Sequence, residues 1–247
     1  MPEPAILLFA GIVFLAYAVQ NAVGFGALLV CITLGSHLLE IRDIITMALP
    51  LSMLQSGAIV WRDRATIDRP LLLRRILPLM TIGVAIGFFV SREVEATDLR
   101  TVFAGLVIVL AVRELWMMAR ARAEADHGPP PRVLSIAAIF GAGLVHGLYA
   151  TGGPLLVYAV GREGLDKRRF RSTLSAVWVG LNTLLISGFL LEGRYTEGTA
   201  KSMIVLLIAL PFGFFAGDLI HRKIPERPFK ATVFGLLIVA AGSLLFR

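Results

Sequence analysis

Two stretches of this chain, Ile6 to Val19 and Met203 to Gly217, contain no Asp, Glu, Lys or Arg. A chain that repeats such runs has few folds open to it, because each run needs either a very large core or a lipid surroundings. The size rules out the first. Of 247 residues 57% are hydrophobic and 17% charged, with mean hydropathy +0.79, against roughly 45–50% apolar and about 25% charged in ordinary soluble domains. The runs read as bilayer-spanning helices.

The net charge of +7 does not indicate a nucleic-acid partner. The basic residues sit in short loops between apolar runs, the pattern of positive-inside orientation, and no basic helix face or aromatic RNA-binding signature accompanies them. Cys31 is the only cysteine, so no internal disulfide is possible and the residue is read as packing. Met1-Pro2-Glu3-Pro4 lacks the basic start of a cleavable signal peptide, so the first segment is expected to stay in the mature protein.

The halves resemble each other. Gly26-Ala27-Leu28-Leu29-Val30 aligns with Gly153-Pro154-Leu155-Leu156-Val157 at a separation of 127 residues, and the same separation sets Arg42 on Arg169, Thr46 on Thr173 and Gln55 on Asn182. At a separation of 130, Gly83 and Gly87 align with Gly213 and Gly217. Residues 5–118 form the first repeat, 119–132 a connector and 133–246 the second, within a single transmembrane domain spanning 1–247. Each repeat holds five apolar segments: 5–20, 24–39, 43–60, 71–90 and 99–118, then 133–149, 153–161, 172–191, 201–220 and 229–246.

Orientation follows from the loop arginines and lysines. The richest loops hold Arg62, Arg64, Arg69, Arg74 and Arg75 in one half and Arg162, Lys167, Arg168, Arg169 and Arg171 in the other. The first follows the third segment of its repeat and the second precedes it, so placing both in the cytoplasm gives the repeats opposite topology. Segment 153–161 reaches only about 14 Å as a helix, short of the roughly 30 Å hydrocarbon core. The expectation is an all-α polytopic membrane protein of two inverted repeats with interrupted or re-entrant helical hairpins, with about eight transmembrane helices among ten helical segments. Both termini then lie on the non-cytoplasmic side of a cytoplasmic (inner) membrane.

Interrupted segments in inverted repeats are where secondary transporters place substrate, near the midplane. The two interruptions are Gln20 to Gly26 and His146 to Pro154. In the second, Pro154 suits the first helical turn and Thr151 the cap, while Gly152 and Gly153 let a ligand approach the backbone. A helix starting there aims free N–H groups at the break, which favours an anion. Gln20, Asn21, Gly24 and Gly26 offer the same arrangement in the first copy, and Tyr149 lies beside the second. Gln55 and Asn182, amides deep in apolar runs, either bridge helices or face substrate. His146, the ionisable group beside the second break, is a proton carrier or a packing histidine. Gly83, Gly87, Gly213 and Gly217 read as helix packing, Asp218 with Arg222 as an ordinary pair four residues apart, and Arg168-Arg169-Phe170-Arg171 as an orientation signal at the headgroups.

His146-Gly-Leu-Tyr-Ala-Thr-Gly-Gly-Pro-Leu-Leu-Val157, the charged loop to Arg171, Ser172-Thr173 and the four packing glycines resemble the TauE/SafE family of sulfite and organosulfonate exporters. The resemblance covers nearly the whole chain. It implies a membrane carrier for sulfur-containing or carboxylate anions, with Gly24, Gly26, Gly152 and Gly153 as equivalent site positions.

The leading expectation is therefore a secondary transporter of a small anion by alternating access. Its partners are that anion and the bilayer, with no cofactor and no metal. A passive anion channel, an intramembrane enzyme and a scaffold are the alternatives. No Walker-type loop, paired intramembrane carboxylates, zinc spacing or nucleophile elbow supports nucleotide-driven transport or catalysis.

Overall fold

The computed structural model describes residues 3–23, 25–120, 131–161, 163–223 and 226–245. Among them the chain is almost entirely helical, in ten helices with no strand. In order they are α1 (Glu3–Val23), α2 (Ala27–Gly35), α3 (Ile41–Asp63), α4 (Arg69–Glu93), α5 (Ala96–Arg120), α6 (Arg132–Tyr149), α7 (Gly153–Val160), α8 (Lys167–Leu191), α9 (Glu197–Lys223) and α10 (Glu226–Leu245). Each half thus shows one long helix, one very short one and three long ones.

Seven of these, α1, α3, α4, α5, α6, α8 and α9, are long and apolar enough to cross a membrane. The 20-residue α10 is comparable in length, but many of its side chains lie outside the described residues, as do most of the connector, Gly24, Arg162 and the side chains of Arg222, Lys223, Arg227 and Lys230. With nine and eight residues, α2 and α7 reach only about 14 and 12 Å. The shortness expected of the second half is therefore present in the first as well, where the apolar run to Leu39 suggested a longer helix. Residues 36–40 instead form a turn, with Ser36 N–H donating to Ile32 O and Leu39 N–H to Gly35 O.

The fold's polarity is inside out. Ile82, Phe89, Val109, Ile208, Phe215 and Val239 are exposed, while Asn21, Ser52, Gln55, His146 and Asn182 are buried. In water, that much exposed apolar surface marks an interaction patch; around helices of this length it is the lipid-facing surface.

Glycine fixes the closest packing. A Cβ on Gly83 would sit 2.5 Å from Phe140 O, and one on Gly143 would sit 2.4 Å from Met80 O. Gly87 and Gly147 repeat this one turn along, so α4 and α6 touch backbone to backbone. Gly213 and Gly217 do the same for α9 on α1, where Cβ atoms would meet Phe14 O at 2.7 Å and Ala18 O at 2.4 Å. The fourth helix of each half thus packs on the first helix of the other. α3 lies against α8 between these pairs, and α5 packs on α10.

Both arginine-rich loops sit at one end of the bundle. Asp63, at the end of α3, accepts from Arg168 Nε at 2.9 Å and lies 3.3 Å from Arg171 Nη2. Asp68 pairs with Arg169, Arg75 donates to Glu163, and the Thr66 and Ser172 hydroxyls are 3.0 Å apart. The basic run that the sequence suggested for headgroups also clamps the α3–α4 loop onto the start of α8. At the opposite end Arg42 Nη2 donates to Val94 O, and Arg92 pairs with Glu192. Within α4 the backbone widens into a π turn over Leu72–Ile76. Pro78 follows, and the wide turn relieves the clash its ring would make with the Arg74 carbonyl.

Candidate functional site

Each break is a short gap between one long helix and one short one. α1 ends at Val23 and α2 starts at Ala27, with Gly26 as its N-cap at φ 104°. That left-handed backbone is available to glycine at little cost. At the second break the left-handed residue is Ala150, φ 53°, whose N–H donates to His146 O at 2.7 Å and closes α6. Gly152 is then the N-cap of α7, without a side-chain capping bond. The cap expected of Thr151 falls one residue later, on the backbone alone.

The breaks meet. A Cβ on Gly153 would lie 2.8 Å from the Phe25 ring, and Gly26, Gly152 and Gly153 all line one cavity. The first intrahelical bonds run from Val30 N–H to Gly26 O and from Leu156 N–H to Gly152 O. Earlier N–H groups in each first turn have no intrahelical partner, and they bring the positive ends of α2 and α7 to the same place. The cavity offers about 20 Å³ to water-sized occupants, room for roughly one water molecule.

Of the residues expected at the site, Gln20, Gly26, His146, Thr151, Gly152, Gly153 and Asn182 line this cavity. Gln20 Oε1 accepts from Ala27 N–H at 3.2 Å, so one donor of the α2 terminus is already paired. His146, 1% exposed, stacks on Trp178 with ring centroids 5.3 Å apart, and its Nε2 lies 3.0 Å from Asn182 Oδ1. Its Nδ1 is buried without a partner.

Three others lie elsewhere, and Gly24 falls outside the described residues. Asn21 Nδ2 donates to Phe214 O at 2.7 Å, tying α1 to α9. Gln55 Nε2 donates to Tyr17 O at 3.0 Å, and the Tyr149 ring packs on Phe103 at 4.9 Å. None of the three lines the cavity. The aligned amides Gln55 and Asn182 thus take different parts, one bridging helices and one facing the cavity.

Ser52 and Trp178 line the cavity unanticipated. Helical spacing held a signal for both, since Trp178 lies one turn before Asn182 on α8 and Ser52 three residues before Gln55 on α3. Phe25 fell inside the first break without being singled out, and Leu28 had no signal, being an apolar residue in an apolar run. Among the described residues no group of three or more His, Cys, Asp or Glu is placed to hold a metal ion.

A family model described as Sulfite exporter TauE/SafE matches residues 9–244. No curated protein and no solved structure matches the chain significantly.

Proposed function

Because the chain belongs to the TauE/SafE family of membrane transporters, and so is a multi-pass membrane protein of an anion-exporter family rather than of an enzyme family, we propose that it carries a small oxyanion through the cavity between its two helix breaks. One observation carries the reading: two short helices point their glycine N-termini into a single narrow cavity whose polar lining is neutral. Backbone N–H groups and helix dipoles at such termini favour an anion over a cation or a neutral solute. The ligand class is sulfite, an organosulfonate or a comparable carboxylate.

A cavity with room for about one water does not admit such an ion without movement, which supports a closed state in an alternating-access cycle. The moving bodies would be the two inverted repeats, rocking about the breaks. Their glycine-packed contacts, α4 on α6 and α9 on α1, each join one half to the other. The arginine-rich end would face the cytoplasm of an inner membrane and both termini the opposite side.

The test sets Gly153→Leu against Gly83→Leu. At Gly153 the nearest atoms to an added Cβ belong to the Phe25 side chain, whereas at Gly83 they are backbone atoms of α6. Gly153→Leu is expected to keep a monodisperse protein that has lost the sulfite-induced rise in melting temperature. Gly83→Leu is expected to lower expression and stability, with the surviving protein still binding. Wild-type affinity in Gly153→Leu would remove the anion from this break.

A further inference from the structure

The glycine contacts exchange helices between the repeats. Through Gly213 and Gly217, α9 of the second repeat lies backbone to backbone on α1 of the first, and Asn21 donates to Phe214 O there. α2 packs on α1 and α3, and Gln55 ties α3 back to Tyr17 on α1. Likewise α4 of the first repeat joins α6 through Gly83 and Gly87, with α7 against α6 and α8 held to α6 by Asn182 and His146. These helices therefore pack as two bodies, α1, α2, α3 and α9 against α4, α6, α7 and α8. They meet along the α3–α8 seam. The cavity lies in that seam, since Gln20, Gly26 and Ser52 come to it from one body and His146, Gly153 and Asn182 from the other.

The two ends of the seam are closed unequally. At one end the Asp63 carboxylate of α3, its side chain 2% exposed, accepts from Arg168 Nε and Nη2 at 2.9 and 2.7 Å and lies 3.3 Å from Arg171 Nη2, both arginines being on α8. Arg62, beside it on α3, has its Nε 3.5 Å from the same carboxylate. One anion thus holds cations of both bodies together. At the other end Arg42 of α3 donates to the Ser91 and Val94 carbonyls, which carry no charge. The seam opens there into a cleft of about 520 Å³ lined by Arg42, Asp43, Thr46, Arg92, Glu192 and Arg194. The pairs Arg92–Glu192 and Asp68–Arg169 join α4 to α8 within one body and leave the seam free.

Loss of the Asp63 charge does more than remove an attraction. A buried ion pair that loses one partner leaves uncompensated charge. Here that charge would be Arg62 on one body facing Arg168 and Arg171 on the other, a repulsion directed across the seam.

Resting on the reading of this cavity as an alternating-access site, we propose that Asp63 is the latch of the arginine-rich end: its bonds to Arg168 and Arg171 hold the two exchanged bodies shut there, and their release opens the cavity to that side. Each rocking body is a repeat that carries the other repeat's fourth helix, and the α3–α8 seam is its line of opening.

Thiol accessibility reads the latch. With the native thiol removed by Cys31→Ala, Ser52→Cys places a reporter in the cavity wall, and a membrane-impermeant maleimide is applied to sealed vesicles of either orientation. Asp63→Asn should raise the labelling rate from the arginine-rich side about tenfold or more. Arg168→Gln combined with Arg171→Gln should do the same from the other body, and decides the matter if Asp63→Asn fails to fold. Asp63→Glu, which keeps the charge, and Asp68→Asn, which breaks a pair inside one body, should label like the parent reporter. Unchanged labelling in the monodisperse variants at Asp63 or at its arginines would overturn the latch. Equal rises from both sides, or a rise in Asp68→Asn as large as in Asp63→Asn, would overturn it as well, because a merely loosened bundle gives both. Sulfite that binds and slows labelling while Asp63→Asn changes nothing would defeat this inference alone. A raised rate from the arginine-rich side without any sulfite binding would keep the latch and defeat the anion reading.

Discussion

The two breaks solve the same chain reversal with opposite use of their polar groups. At the first, Gln20 takes the Ala27 N–H and Asn21 reaches across to Phe214 O. Glycine at position 26 bears the left-handed backbone. At the second, the left-handed residue is Ala150, α7 has no side-chain cap, and His146 keeps one nitrogen without a partner. Asn21 of the first break is bound up in the fold and Gln20 caps α2 while also lining the cavity, whereas His146 and Thr151 of the second break line the cavity. Two aligned segments can therefore diverge, one using its polar side chains to hold the hairpin and the other leaving more of them on the cavity.

The sharpest way to break that contrast is Gly26→Ala. A Cβ there meets nothing nearer than Val19 Cγ1 at 4.0 Å, so the cost is confined to forcing an L-residue into left-handed backbone, about 1–2 kcal/mol. We expect a loss of stability of that size, read by thermal or denaturant melting, with sulfite affinity changed by less than about threefold. Loss of binding as complete as in Gly153→Leu, at unchanged stability, would make the breaks equal partners at the anion.

Much of this architecture was legible because lipid leaves a chain few choices. Uncharged runs had to span, a nine-residue apolar segment could not, and glycines four apart had to be contacts. Residues 83, 87, 213 and 217 do pack backbone on backbone. Less legible was which helix each would meet, since small residues advertise a contact without naming its partner. The same holds for Gln55 and Asn182: pattern set them in register, and only the packing of Tyr17 against α3 and of His146 against α8 separates them. The α2 boundary was obscured because Leu38, Leu39 and Ile41 continue an apolar run through what is a turn. Arg168 and Arg171 advertised their charge, but their acidic partner Asp63 lies about a hundred residues away.

A second contrast separates the two amides. Asn182→Leu removes the partner of His146 Nε2 from the cavity wall and should weaken sulfite binding about tenfold, the worth of roughly one good hydrogen bond. Gln55→Leu removes only the bond to Tyr17 O; it should cost about 0.5–1.5 kcal/mol of stability and leave affinity near wild type. Side-by-side calorimetric titrations and melts check both. Equal loss of affinity in the two variants would mean that the aligned positions share the ligand after all.

The smallest expected effect belongs to Thr151. Its side chain lines the cavity and is buried, yet α7 takes no side-chain cap. Thr151→Val keeps the shape and removes the hydroxyl, so the folded protein loses no capping bond and its melting temperature should stay within about a degree of wild type. The bound anion, in contrast, would lose a donor. A neutral hydrogen bond in a site that also offers backbone N–H groups is worth a fraction of the Asn182 effect, so sulfite affinity should fall about threefold. A drop in stability with unchanged affinity would return Thr151 to the fold, and with it the part of the second break that most distinguishes it from the first.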